Sequence, residues 1–112
     1  MLKVLAAAGA LSCAIITTGK AETGVASWYG SESGSRTANG ERFPTSERTC
    51  AHRTARFGSR LHVTDLRTGR AVVCRVNDRG PFIRGRVIDL NPASARALGM
   101  SGTAKVRVSP RP

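Results

Sequence analysis

The sequence predicts a mainly β domain, a small closed barrel with one or two short helices. Three observations predict it. The β-prone runs are short, and turn residues end each of them. Gly and Pro recur between the runs, 12 and 5 times in 112 residues. Only one segment carries both a helix start and a helix stop. Short strands, frequent turns and one short helix point to a small closed sheet. The length allows one domain and excludes a multidomain enzyme. A 40% apolar share suffices for a small core.

Residues 1–21 read as a secretory leader. Lys3 supplies the positive start, Val4–Ile16 is apolar apart from Gly9 and Ser12, and Gly19 and Ala21 fit a small-residue cleavage site. The apolar run is shorter than the roughly 20 residues of a spanning helix. Leu11-Ser12-Cys13 resembles the end of a lipoprotein box. Ala10 stands where that box has Leu, and the apolar run continues past Cys13, so a soluble export signal is favoured over a lipid anchor at Cys13. The expected organisation is a leader over 1–21, a barrel domain over 22–108 and a tail over 109–112. No transmembrane segment is expected in the mature chain, which is expected to be a monomer in the periplasm or cell envelope.

Val25–Tyr29 is a β-prone run ended by Gly30. Residues 30–41 are rich in Gly, Ser and Asn and predict a loop, with a turn at Asn39-Gly40. Leu61–Thr64 and Ala71–Val76 predict two strands joined through 65–70, and Asn77–Pro81 predicts a sharp break after the second. Arg86–Leu90 predicts a strand. Asn91 can cap a helix, Pro92 suits its first position, and Gly99 stops it. Lys105–Val108 alternates as a final strand. His62, within a strand, and Asp89, near the helix start, are expected to be structural.

The formal charge is +11, and 15 of the 18 basic residues are Arg. Cleavage after Ala21 removes Lys3 and Lys20 and no acid, leaving +9. Such charge fits nucleic acid or an acidic envelope polymer equally. No helix–turn–helix, RNA-binding motif or basic–aromatic platform is present. Export turns the expectation to envelope polyanions, and no specific nucleic acid is expected. Cys50 and Cys74 remain in the mature chain. In an exported protein an even pair suggests one disulfide; the alternative is two buried thiols. There is no CxxC, His52 and His62 lack further metal partners, and no Walker or dinucleotide loop appears, so no metal and no cofactor are expected.

Polar residues concentrate in Thr37–Glu41, Cys50–His52 and Asn77–Phe82. Around them Gly24–Gly30 (GVASWYG), Thr37–Glu41 (TANGE), Thr49–His52 (TCAH), Phe57-Gly58, Val76–Phe82 (VNDRGPF), Gly85–Leu90 (GRVIDL) and Ala97–Gly99 follow in order. The ordered set resembles the rare lipoprotein A family of bacterial septal-ring lytic transglycosylases, over about residues 24–108. The resemblance implies a six-stranded double-psi β-barrel, similar in fold to expansins. It implies cleavage of peptidoglycan between N-acetylmuramic acid and N-acetylglucosamine, on strands stripped of stem peptides, leaving 1,6-anhydro-muramyl ends. The sugar's own C6 hydroxyl attacks C1 in that reaction. One carboxyl can therefore protonate the leaving oxygen and then accept the hydroxyl proton.

By the same resemblance that carboxyl is Asp78, with Glu41 and His52 as the other catalytic positions. An Asp in this role needs desolvation or a neighbouring carboxylate such as Glu41 to stay protonated near neutral pH. Asn39, Asn77 and Arg79 are expected to contact substrate. Trp28 and Tyr29 could stack on sugar rings, but neighbours on a strand face opposite ways, so only one of them is expected to line the cleft. The competing expectation is a non-catalytic, expansin-like wall-binding module, since fold alone does not set activity.

Overall fold

The computed structural model describes residues 20–30 and 34–111. Residues 1–19, which hold most of the predicted leader and Cys13, lie outside the described residues. Six strands and one helix follow in order: β1 (Glu22–Trp28), β2 (Thr49–Ala51), β3 (Arg60–Asp65), β4 (Ala71–Asp78), β5 (Arg86–Leu90), α1 (Pro92–Leu98) and β6 (Ala104–Arg111). The strands close into a barrel in the order β1-β5-β2-β4-β3-β6, with β6 returning to β1. β1 pairs parallel with β5, and β2 parallel with β4. The other four pairings are antiparallel.

Alternation builds the core. Leu61 and Val63 of β3, Val72, Cys74 and Val76 of β4, and Val106 and Val108 of β6 point inward, each 5% exposed or less. Their neighbours Arg60, His62, Arg75 and Arg107 are exposed or half-buried. This period-two pattern is what the sequence displays in β3, β4 and β6. β1 approaches β5 closely: a Cβ on Gly24 would stand 2.6 Å from Val87 Cγ1 and 3.0 Å from the Gly85 carbonyl.

α1 forms where the capping residues place it. The Asn91 side chain accepts from Ser94 N at 2.9 Å, and Gly99 (φ 82°) closes the far end with its N–H on the Ala95 carbonyl at 3.0 Å. Asn91 does more than cap. It is fully buried, its Oδ1 also accepts from Thr49 N at 3.1 Å, and its Nδ2 donates to the Glu47 carbonyl at 2.8 Å. The helix start is thereby locked to the start of β2. Leu98 and Ala95 pack into the barrel core.

Three features differ from the sequence reading. Cys50–His52, read as a polar segment with no strand assigned, begins inside a buried strand, Thr49–Ala51, held on both sides, by β4 and by β5. Three residues are too few to show a period, so only its neighbours define it. β4 continues through Asp78 instead of breaking at Asn77, because a register shift lets Ala51 pair with Asp78. The final strand runs to Arg111: Ser109, Pro110 and Arg111, read as a tail, lie opposite His62, Leu61 and Arg60.

Cys50 and Cys74 are bonded, with Cα atoms 5.8 Å apart and 24 positions apart in sequence. The bond joins adjacent strands β2 and β4 inside the core. Closing a loop of this length is worth about 3 kcal/mol in the chain-entropy model. Denaturant unfolding of a Cys50→Ala/Cys74→Ala variant should show a loss of about that size. A loss near zero would show that the short β2 is held by its ladders alone.

Candidate active site

The site is assembled on the rim from the end of β4, the 34–48 connection and the turn after β2. The connection has little regular structure beyond one bridge between Arg36 and Arg42. Within it Thr37–Glu41 forms a tight turn. Thr37 N donates to the Glu41 carbonyl and Gly40 N to the Thr37 carbonyl, both at 2.9 Å. Gly40 takes φ 91°, a conformation that favours glycine. Asn39 ties the turn together: its Oδ1 accepts from Thr37 Oγ1 at 2.6 Å and from Glu41 N at 3.2 Å.

Glu41 anchors this turn to the barrel. Arg75 grips its carboxylate with both nitrogens, Nη1 to Oε2 at 2.7 Å and Nη2 to Oε1 at 3.1 Å. Asn39 Nδ2 donates to Oε2 at 2.9 Å and Asn77 Nδ2 to Oε1 at 3.1 Å. The Arg75 guanidinium first, then the Asn39 and Asn77 amides, hold the Glu41 pKa down to about 2. Glu41 is thus a fixed carboxylate whose charge is already matched by Arg75, which weakens the expected part of a charged neighbour to Asp78.

Asp78 receives the anchored turn. Ala38 N and Arg79 N both donate to its Oδ1, each at 2.9 Å. No donor among the described residues bonds Oδ2. A proton on this carboxyl would therefore sit on Oδ2, on the half-buried side chain's free edge. The β4 pairing supports it from behind, with His52 N donating to the Asp78 carbonyl at 3.2 Å.

His52 is buried beside it. Its Nδ1 accepts from Thr54 N at 3.1 Å and Ala55 N at 3.0 Å. The ring's proton must then lie on Nε2, which donates to Glu22 Oε1 at 2.9 Å. His52 folds the 52–55 turn onto β1 and carries a defined tautomer.

Three residues expected to touch substrate make contacts within the scaffold. Asn77 is fully buried, because the extension of β4 turns it under Glu41. Arg79 points back at the 52–57 segment, where Nη1 donates to the Ala55 carbonyl at 2.7 Å and the guanidinium lies 3.9 Å from the Phe57 ring centroid. Tyr29 is buried and stacks on Phe43 with centroids 5.1 Å apart. Of the two aromatic neighbours Trp28 is the exposed one, 44% accessible, its indole N–H on the Ser101 carbonyl at 3.2 Å. Asn39 is half-buried and braces Glu41.

The sequence reading named Tyr29 but did not place it with Thr49 and Asp89. The Tyr29 hydroxyl is buried next to Thr49 and within the electrostatic reach of Asp78 and Asp89, and neither the Tyr29 nor the Thr49 hydroxyl closes a well-formed hydrogen bond with the described residues. Burial first, then the two carboxylates, push the Tyr29 ionisation well above the usual phenol range. Asp89 in turn accepts a hydrogen bond from Ser27 Oγ across the β1–β5 pair. It does not serve the helix start, which belongs to Asn91. The signal was present in the pairing of GVASWYG with GRVIDL, but only the parallel register sets Ser27 opposite Asp89. Among the described residues no group of three or more His, Cys, Asp and Glu side chains could share a metal ion.

The six-stranded closed barrel and its carboxyl-bearing rim define a double-psi β-barrel domain. Residues 21–109 match the family described as lytic transglycolase. The chain is 54% identical over 96 residues to a probable endolytic peptidoglycan transglycosylase RlpA of Synechocystis sp., covering 83% of this chain and 30% of that protein. It is 50% identical over 88 residues to the endolytic peptidoglycan transglycosylase RlpA of Pseudomonas aeruginosa, covering 76% of this chain and 26% of that one. The chain belongs to this RlpA-like lytic transglycosylase family, and it spans about a third or less of the length of these relatives. An expansin of Clavibacter michiganensis shares the fold, with TM-score 0.64 and 21% identity over 83% of this chain and 51% of the expansin. So does a Streptomyces papain inhibitor, with TM-score 0.62 and 21% identity over 81% of this chain and 94% of the inhibitor.

The Glu41 anchor makes stability depend on acid. Its pKa falls from 4.5 to about 2 on folding. The stability it contributes is complete above the unfolded value and drains away as pH falls towards the folded one. Denaturant midpoints should decline across that window, and the decline should flatten in Glu41→Gln. Parallel profiles for the two proteins would show that the anchor does not couple to folding.

Proposed function

We propose that the chain is an exported lytic transglycosylase domain that cleaves the muramyl–glucosaminyl bond of peptidoglycan glycan strands. The observation that carries the reading is the Asp78 carboxyl: Oδ1 is pinned by two backbone N–H groups, and Oδ2 is left for substrate. Membership of the family and the names of the relatives support the substrate and the reaction.

Asp78 Oδ2 gives its proton to the glycosidic oxygen as the C1–O bond breaks. The muramyl C6 hydroxyl adds to C1, and its proton returns to Asp78. The product is a 1,6-anhydro-muramyl end, and no water is consumed. One group thus acts as acid and then as base. Glu41 acts as a positioning residue that holds Ala38 N against Asp78. His52 holds the turn beside it, and Asn39, Asn77 and Arg79 brace these segments. Trp28, exposed at the end of β1, offers its indole face to a sugar ring. The substrate places the working protein in the cell envelope, and strands freed of stem peptides are the expected form. A leader over 1–21 and a monomeric working state belong to the same proposal.

The test uses denuded sacculi and mass spectrometry of the released ends. Anhydro-muramyl products are expected from the native chain. Asp78→Asn should reduce them by about 10²–10⁴-fold, the usual worth of general acid–base catalysis. Its melting temperature should hold, because the amide oxygen can still accept both backbone N–H groups. Glycan binding without any anhydro product from folded native protein would instead identify a wall-binding module.

A further inference from the structure

The flank of the barrel beside the site carries a row of like charges. Outward positions place Arg75 of β4 opposite Arg60 of β3, and Arg60 opposite Arg111 of β6. Neighbouring strands lie about 4.8 Å apart, so the row spans about 10 Å. Like charges directly opposite in a sheet are destabilising. Only Arg75 is matched, by Glu41 and Glu47. Arg60, Arg111 and the nearby Arg48 pair with no carboxylate among the described residues. Arg48, Arg60 and Arg75, with Ser46, Glu47 and Val73, line an open groove of about 420 Å³.

We propose that this groove binds free carboxylates of the glycan strand outside the cleaved bond. The inference rests on the peptidoglycan reading of the site. A muramyl residue without a stem peptide ends its lactyl group in a free carboxylate, whereas attachment of the peptide converts that carboxyl to an amide. A stripped strand therefore presents anions at regular intervals along its length. Guanidinium groups match carboxylates with two parallel N–H bonds, which ammonium groups cannot do. The groove is contiguous with the site through Arg75, whose guanidinium holds Glu41 on one side and Glu47, a groove-lining residue, on the other. A strand lying in the cleft can thus continue along the flank. The unmatched arginines read its carboxylates, and the like-charge row that costs the free barrel stability is neutralised on binding.

The test compares the native chain with an Arg48→Gln/Arg60→Gln variant. Both residues are exposed and outside the Asp78 cluster, so the variant should fold, and its melting temperature should hold or rise as facing like charges are removed. Probes are denuded glycan strands and the same strands with their carboxylates converted to methylamides. The variant should bind the carboxylate strands about ten-fold more weakly, the loss of about 1.4 kcal/mol, with a shallower salt dependence. KM should rise with kcat unchanged, and the two proteins should bind methylamide strands equally. Unchanged affinity and KM in a folded variant overturn the proposal. An equal loss on methylamide strands also overturns it, since the contact would not be with carboxylates. Phosphatidylglycerol vesicles form the third arm: a loss confined to vesicles assigns the groove to lipid phosphate and overturns it. If neither protein yields anhydro ends but the carboxylate-dependent difference in binding persists, the groove stands and the catalytic reading fails.

Discussion

The bidentate pair of Arg75 and Glu41 is the constraint on which the site depends. The barrel is a closed hydrogen-bonded unit, but the 34–48 connection has almost no ladder of its own. Its Thr37–Glu41 turn is fastened through one carboxylate, which takes two bonds from Arg75 and one from Asn77 of β4 and a fourth from Asn39 within the turn, while Asn91 holds the far end of the connection at the Glu47 carbonyl. Paired and hydrogen-bonded guanidinium–carboxylate contacts are among the stronger and more directional polar interactions. With Glu41 in place, Ala38 N reaches Asp78, and the carboxyl acquires one pinned oxygen and one open one. A loop without regular structure thereby becomes as well placed as a strand.

Beneath the loop lies a second requirement, the satisfaction of backbone groups around β2. This three-residue strand is fully buried, so its N–H and C=O groups need partners within the protein. β4 and β5 supply most of them, and Asn91 supplies another by accepting from Thr49 N while capping α1. His52 follows directly, and its two backbone bonds at Nδ1 choose the tautomer that faces Glu22. Packing of the core and placement of the polar side chains are thus one problem: the residues that complete the ladders also set where His52 and Asp78 stand.

Charge acquires a location in the structure. Arg79 is engaged with carbonyls and the Phe57 ring, and Arg75 with two carboxylates, so neither is a free cation. Arg60 and Arg111 share a row with Arg75, an arrangement that fold stability alone would disfavour. The barrel has room for this because its stability rests on the enclosed apolar cluster and the Cys50–Cys74 bond, not on surface pairs.

By itself the sequence determined the elements whose signals are local. Alternation in Leu61–Thr64, Ala71–Val76 and Lys105–Val108 marks an inner and an outer face, and Asn91-Pro92 with Gly99 bounds α1. The ordered GVASWYG, TANGE, TCAH, NDRG and VIDL segments marked the family and offered Glu41, His52 and Asp78 as its candidate positions. Tertiary structure alone decided β2, the reach of β4 to Asp78 and the last residues of β6, because a strand shorter than its own period is defined by its neighbours. It also decided which polar residues face outward. Asn77, Arg79 and Tyr29 look available in sequence, yet their side chains turn inward to Glu41, to the 52–57 segment and to Phe43. Within a strand, direction follows from pairing register, a property of two strands at once, and just past the strand ends, at Tyr29 and Arg79, it follows from the segments that barrel closure brings alongside.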